Sequence, residues 1–414
     1  MAENNNKKVF LEVRDSQSMT DNEKLLLQLS GLADFAPVEI WSACGTNQQM
    51  AYSTHGAFRY FGKFPPPIAT HLITQYTNEE DTVFDPMCGS GTTGVEALLL
   101  NRKSVLNDIS PLSTLLARVK TTHLDKDILT TYAEHIYSQY RPLSVEEYDF
   151  MPSYLKNYTH WFLPETIDSL RGIRYLIQNI EDEHIREFFL ICFAGTVRRV
   201  SKATTQQGRL FLDVETAETD ALPFFKKRVE IAIKGVSELP TNRPNNTTVI
   251  SYDLREPAPE YLYDSADLII CHPPYFNSYK YSSINSLELS WLDVDYSKLR
   301  KKEVREFFKV GKEENAEIYV KDMIETLKNL YPTLKNGARI GLMIGDTQIH
   351  GNYIPVTKQI LDNIKDIYEI ELVVLRAPKY TEAAWVASQR RNANKVGVSL
   401  YDFIIILRKN DEKN

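Results

Sequence analysis

The stretch from Val83 to Pro111, VFDPMCGSGTTGVEALLLNRKSVLNDISP, limits what this chain can fold into more than any other. A short apolar run, VFD, leads into a turn holding Gly89, Gly91 and Gly94. An apolar helical pattern and a second apolar run, KSVLND, follow. Strand, glycine turn, helix, strand is the outline of a βαβ unit, and that unit commits the chain to parallel pairing. Glycines in the turn let backbone approach a ligand with no Cβ between. The helix start offers free N–H groups to an anion. No Gly-Lys-Ser/Thr follows, so this is not a P-loop. The G-x-G-x-x-G spacing suits a dinucleotide turn, but the ligand need not carry a pyrophosphate. Asp108, ending the second strand, can accept both ribose hydroxyls of a nucleoside cofactor. Asp253, ending the run TVISYD, can read an adenine amino group.

The rest of the chain extends that unit. A helix is expected from about Pro67 to Tyr76, and a short one in NEKLLLQLSGL. Strand patterns recur in ADLIIC, ARIGLMIGD, YEIELVVLR and SLYDFIIILRK, with helices near 315–334 and 355–366. The runs are almost continuously apolar, as in a parallel sheet covered on both faces. Only a polar loop separates the last two, which predicts an antiparallel hairpin at the sheet edge. Residues 121–245 differ, being charged, aromatic and helical in period, and read as an inserted helical subdomain. The reading is therefore a 1–50 extension, an α/β domain made of 51–120 and 246–414, and the 121–245 insertion between.

Four scattered cysteines imply neither a disulfide framework nor a zinc site, and a reducing cytoplasm fits. His123, His135, His160 and His184 lack metal-ligand spacing, so no metal is expected. No apolar run approaches a membrane span, and MAENNNKKVFLEVRD lacks a signal core. The net charge of −7 argues mildly against nucleic acid, but binding depends on local patches.

A second informative turn is Cys271-His272-Pro273-Pro274-Tyr275, at the end of the apolar run ADLIIC. Two prolines fix the backbone and remove two donors. The carbonyls are left to accept hydrogen bonds from an exocyclic amine, and Tyr275 can stack on a planar base. An amine on a base is a poor nucleophile because its lone pair is delocalised into the ring. Accepting its hydrogens favours tetrahedral nitrogen and makes it more reactive, with no covalent enzyme intermediate.

Together these segments resemble the DNA amino-methyltransferases that use S-adenosylmethionine. Asp85-Pro86-Met87-Cys88-Gly89-Ser90-Gly91-Thr92 is similar to that family's D-P-F-x-G-S-G-T, with Met87 in place of Phe. His272-Pro273-Pro274-Tyr275 is similar to its (Asp/Asn/Ser)-Pro-Pro-(Tyr/Trp/Phe), and these four would be catalytic. The resemblance implies a Rossmann-like class I methyltransferase fold, with a mostly parallel seven-stranded sheet and helices on both faces. It implies that Asp85, Gly89 and Gly91 cradle the methionine part of the cofactor and Asp108 the ribose. The intervening loop residues, Ile109, and Asp253 with Leu254 would complete the site. Lys63 and Phe64, in FRYFGKFPPPIATHLI, match the segment that closes over the methionine end. In the family, Asp and Asn accompany adenine N6 methylation and Ser accompanies cytosine N4. His272 matches neither, though the residues around it resemble the Ser group more. A neutral imidazole accepts one hydrogen bond and loses that capacity when protonated near pH 6.5, so activity is expected to fall in mild acid.

The partner implied is DNA, with the target base flipped out or single-stranded. Arg198, Arg199, Lys202 and Arg209 form one basic stretch, and Arg390, Arg391 and Lys395 another. Both suit phosphate contacts. The insertion is the candidate target-recognition region, and a restriction endonuclease or other defence subunit is a candidate partner. Two alternatives stay open: an RNA or protein amine methyltransferase of the same fold, or an inactive cofactor-binding partner subunit.

Overall fold

The computed structural model describes residues 9–206, 209–241, 246–276, 280–304, 313–349, 352–377 and 402–410. Its frame is a nine-stranded sheet. The strands are β1 (Phe10–Asp15), β2 (Val38–Cys44), β3 (Thr82–Asp85), β4 (Lys103–Asn107), β5 (Thr247–Ile250), β6 (Ala266–Cys271), β7 (Leu334–Ile344), β8 (Tyr368–Arg376) and β9 (Asp402–Lys409). Across the sheet they run β1-β2-β8-β9-β7-β6-β3-β4-β5. β1 and β9 are antiparallel to their neighbours; every other pairing is parallel.

Seven of these strands, β3 to β9, make the α/β sheet read from the sequence. The other two correct it. β2 adds in parallel to β8, and β1 closes the edge beyond it. The β8–β9 hairpin is antiparallel as expected, but it lies inside the sheet and not at its edge. β1 hides from sequence reading because it is a half-exposed edge strand, FLEVRD, with charges set among its apolar residues.

Each face of the sheet buries its own set of side chains. Along β9, Ile404 and Ile406 share a cluster with Ile68 and Leu72 of α2 (Pro66–Tyr76). Ile405 and Leu407 share the opposite cluster with Met323 and Leu327 of α9 (Glu313–Leu330). This period of two, apolar on both sides, is the reason the strand reads as an unbroken run. Helix starts follow local chemistry. Thr20 and Glu23 form a capping box on α1 (Asp21–Ser30), and prolines occupy the first turns of α2 and α4 (Pro111–Thr121). α3 (Thr92–Leu99) follows the glycine turn directly.

The helices of 121–245 are α5 (Lys126–Gln139), α6 (Pro164–Gln178), α7 (Glu183–Val200) and α8 (Leu222–Ser237). A small hairpin, Ala203–Gln206 with Arg209–Leu212, lies between α7 and α8. Their hydrophobic core also contains Leu112, Leu115 and Leu116 of α4 and Leu287, Leu289 and Trp291 from beyond β6. Trp291 sits among the rings of Phe150, Phe162 and Phe193. No described helix is long and apolar enough to cross a membrane. All four cysteines are buried and free, and the described residues hold no cluster suited to a metal.

Candidate active site

β3 and β6 are adjacent and parallel, with Phe84 opposite Ile269. The glycine turn and the proline turn therefore leave the same edge of the sheet, side by side. From β3 the chain winds outward through β4 to β5, then jumps to β6 on the other flank of β3. That reversal of direction opens a crevice at the carboxyl ends of the strands, the usual ligand position in open α/β sheets.

The glycine turn is held from several sides. The Asp85 carboxylate accepts from the Met87 N–H at 3.1 Å and from Thr93 Oγ1 at 2.5 Å. Gly89 and Gly91 have φ of +46° and +71°, which side-chain-bearing residues rarely adopt. Asp108 accepts the Gly89 N–H at 2.9 Å through one oxygen and the Ser110 N–H at 2.8 Å through the other. Buried Asn107 donates to the carbonyls of Pro86 and Tyr252 and accepts the Tyr252 N–H, tying together the ends of β3, β4 and β5. Burial pushes the Asp85 carboxyl up to about 7 and that of Asp108 up to about 6, with hydrogen bonds to the charged forms opposing the shift.

A fit test for a nucleoside cofactor rests on this geometry. A Cβ built on Gly89 would lie 3.1 Å from the Tyr60 ring and would press on it, at a φ that side-chain-bearing residues rarely adopt. Tyr60 also lies 3.0 Å from Ser113 Oγ through its hydroxyl and stacks on Tyr281, with ring centres 6.0 Å apart. A half-buried carboxylate at Asp108, beside a turn whose glycines leave the backbone bare, suits a ribose and a zwitterionic amino-acid end.

In the proline turn, His272 Nε2 lies 3.2 Å from the Tyr275 hydroxyl. The Phe64 ring meets His272 edge-on at 5.4 Å, so the 58–64 segment touches both turns, Tyr60 at one and Phe64 at the other. Tyr319 donates to the Pro274 carbonyl at 2.9 Å. No donor among the described residues reaches the Pro273 carbonyl, which leaves it the better placed of the two for an amine. Burial drives the His272 ring down to about 4; the Arg376 guanidinium adds to this and Asp402 opposes it. The ring is neutral at ordinary pH, with one nitrogen able to accept.

Other residues named from the sequence fall in different surroundings. Lys63 is exposed and donates to the His55 carbonyl at 3.1 Å. Asp253 lies beyond the end of β5 and is gripped by Arg255, with contacts of 2.6 and 2.9 Å. Leu254 is buried. The Arg198 guanidinium donates to both oxygens of Glu288 and to the Ile284 carbonyl. Arg199 pairs loosely with Glu218 at 3.4 Å, and Lys202 donates to the Thr159 carbonyl at 3.2 Å. Arg209 belongs to the small hairpin, but its side chain lies outside the described structure. Arg390, Arg391 and Lys395 lie outside the described residues altogether.

Sequence reasoning missed three groups around this crevice. Tyr60 sits inside FRYFGKF, but only its contact with Gly89 marks it out. Tyr319 is some forty residues beyond the carbonyl it holds. Lys120 is fully buried and donates to the Ser90 carbonyl at 2.5 Å, with its ammonium driven down to about 7 by burial. No local pattern in the sequence signals these pairings.

A family model described as a DNA methylase matches residues 4–114 and 266–414, more than half of the chain. The chain belongs to the N6/N4 DNA methylase family. Its sheet is the α/β, Rossmann-like sheet of a methyltransferase, extended by two strands. Among relatives, this chain is 27% identical over 304 residues to the Type II methyltransferase M.MvaI of Kocuria varians, covering 68% of this chain and 66% of that one. It is 25% identical over 281 residues to the Type II methyltransferase M.BsoBI of Geobacillus stearothermophilus, covering 60% and 54%. The match thus spans about two thirds of the first relative's length and about half of the second's. Among solved structures, the rRNA methyltransferase aviRa from Streptomyces viridochromogenes aligns over 68% of this chain and 75% of its own. At 13% identity and a TM-score of 0.27, that likeness carries no argument.

Proposed function

We propose that this methylase transfers a methyl group from S-adenosylmethionine to the exocyclic amine of a DNA base, cytosine N4 in preference to adenine N6. The observation that carries the reading is the adjacency of the two turns at the carboxyl ends of β3 and β6, bridged by Tyr60 and Phe64. When bound, the cofactor supplies an electrophilic methyl on sulfur. The chain's residues do the rest. Residues 85–92 hold the amino-acid end, with Lys63 and Phe64 closing over it. Asp108, beside Ile109, accepts the ribose hydroxyls, and Asp253 and Leu254 flank the adenine. Pro273 accepts an amine hydrogen through its carbonyl, neutral His272 accepts a second, and Tyr275 stacks on the base. Drawing on both hydrogens pulls the amine nitrogen toward tetrahedral geometry and frees its lone pair for attack.

The cytosine preference rests on the residues around the Pro273-Pro274-Tyr275 turn, which resemble the family's Ser group more; His272 itself decides neither base. The 121–245 helices are the proposed target readers, and Arg199, Lys202, Arg209, Arg390, Arg391 and Lys395 the proposed phosphate contacts. A restriction-modification or related defence setting in the cytoplasm, with an endonuclease partner, completes the reading. The deciding experiment supplies labelled methyl donor with unmethylated genomic DNA, tRNA and protein as competing acceptors, then maps modified bases at nucleotide resolution. Label in DNA as N4-methylcytosine is expected. Label only in RNA or protein, or none in any acceptor, defeats the proposal.

A further inference from the structure

Four arginines gather where the 58–64 segment meets α7 and α8. Arg59 and Arg198 flank one ring, their guanidinium carbons 5.1 and 5.7 Å from the centre of Phe61. Arg199 lies over the Phe224 ring at 4.4 Å. Arg228 is one helical turn beyond Phe224 on α8. A Cβ built on Gly195 of α7 would lie 3.6 Å from the Arg228 side chain and 3.6 Å from the ring of Phe58, the residue before Arg59. Three chain segments thus bring their cations to one junction.

The counterions do not match. Arg198 has Glu288 and Arg199 has Glu218. No carboxylate among the described residues comes within ion-pair distance of Arg59 or Arg228, although the chain is net acidic. Burial lowers the Arg228 pKa from its usual value, and the neighbouring charges of Arg59 and Arg199 lower it further. Like charges held together on aromatic supports suit an anion that arrives from outside. A planar guanidinium fork matches phosphate best.

The next residue after Arg59 is Tyr60, which lies against Gly89. An anion at this junction would therefore sit beside the crevice that takes the methyl donor and the base. We propose that Arg59, Arg199 and Arg228 form a binding site for a backbone phosphate of the target DNA, at the rim of the methyl-transfer crevice. The proposal rests on the reading of the protein as a DNA methyltransferase. It adds Arg59 and Arg228, which no basic run in the sequence singles out, and leaves Arg198 to hold the segment after the proline turn.

The test compares wild type with Arg59→Gln, Arg228→Gln and the double variant, binding a fluorescein-labelled DNA duplex between about 50 and 200 mM salt. Removing one phosphate interaction should flatten the slope of log affinity against log salt by about one unit. The double variant should bind severalfold to tens of times more weakly at the lower salt. Cofactor affinity and thermal midpoint should match wild type, and Arg59→Lys with Arg228→Lys should restore much of the slope. A double variant with wild-type slope and affinity, in a protein that still methylates DNA, overturns this site alone. A wild type that binds no DNA overturns the functional reading as well.

Discussion

His272 carries a neutral ring because burial and a nearby guanidinium both disfavour its proton. The sequence places its titration near pH 6.5; the structure moves it to about 4. The turnover rate at saturating cofactor is therefore expected to stay level from pH 7.5 to about 5.5, where a free histidine would already have lost its acceptor. A turnover rate that halves near pH 6.5 and is restored to a level profile in His272→Asn would contradict this. The same shift affects stability. The unfolded chain binds the proton near 6.5 and the folded one only near 4, so this stabilisation is lost as pH falls between those values. Asp108 behaves oppositely, its carboxyl raised to about 6. Below that pH it binds a proton and loses acceptor capacity, so cofactor affinity should fall as pH drops through 6 while the turnover rate holds. Asp108→Ala should weaken cofactor binding about 10- to 100-fold, the worth of hydrogen bonds to a charged group. Calorimetric titration of the cofactor checks both points, and an unchanged Kd in the variant counts against the assignment.

At the scale of elements, helix propensity and packing give opposite signs at Gly172 in α6. On an exposed helix face, Gly→Ala stabilises by about 1 kcal/mol. Here the added Cβ would lie 2.1 Å from the Arg141 carbonyl oxygen, which is backbone and cannot swing aside. Gly172→Ala is therefore expected to destabilise by about 1–3 kcal/mol, read from the urea midpoint at constant slope; a raised midpoint would refute it. Elements differ in how well sequence reveals them. The runs around β3, β6, β7 and β9 are plain because a strand buried on both faces is apolar throughout. The helix after Pro65 begins within one residue of expectation, since proline at a helix start is a local signal. β2 escapes notice because its parallel partner, β8, lies more than three hundred residues away, and β1 because it is a half-exposed edge strand paired only with β2. For the same reason the closing hairpin is misplaced at the edge: its outer neighbour comes from the other end of the chain.

At the scale of the molecule, the 121–245 helices are not a bead on a string. Trp291 and Leu289, from beyond the proline turn, lie in their core, and Arg198 joins α7 to Glu288. Unfolding should therefore be one calorimetric transition, and two resolved peaks would show that the insertion melts alone. Trp291→Ala should cost about 3–5 kcal/mol, as large core deletions do, and should lower that single transition without splitting it. What the sequence determined by itself is the chemistry of the two turns. Backbone freedom at Gly89 and Gly91, its loss at Pro273 and Pro274, and the apolar runs before each turn are properties of neighbours along the chain. What only the tertiary structure decided is which groups those turns face. Parallel pairing sets them side by side, Tyr60 and Phe64 bridge them, Lys120 and Tyr319 hold their carbonyls, and Arg198 and Arg199 find carboxylates where, among the described residues, Arg59 and Arg228 do not. Those contacts join residues tens to hundreds of positions apart, and their energies depend on distance in space, which no local pattern of residues encodes.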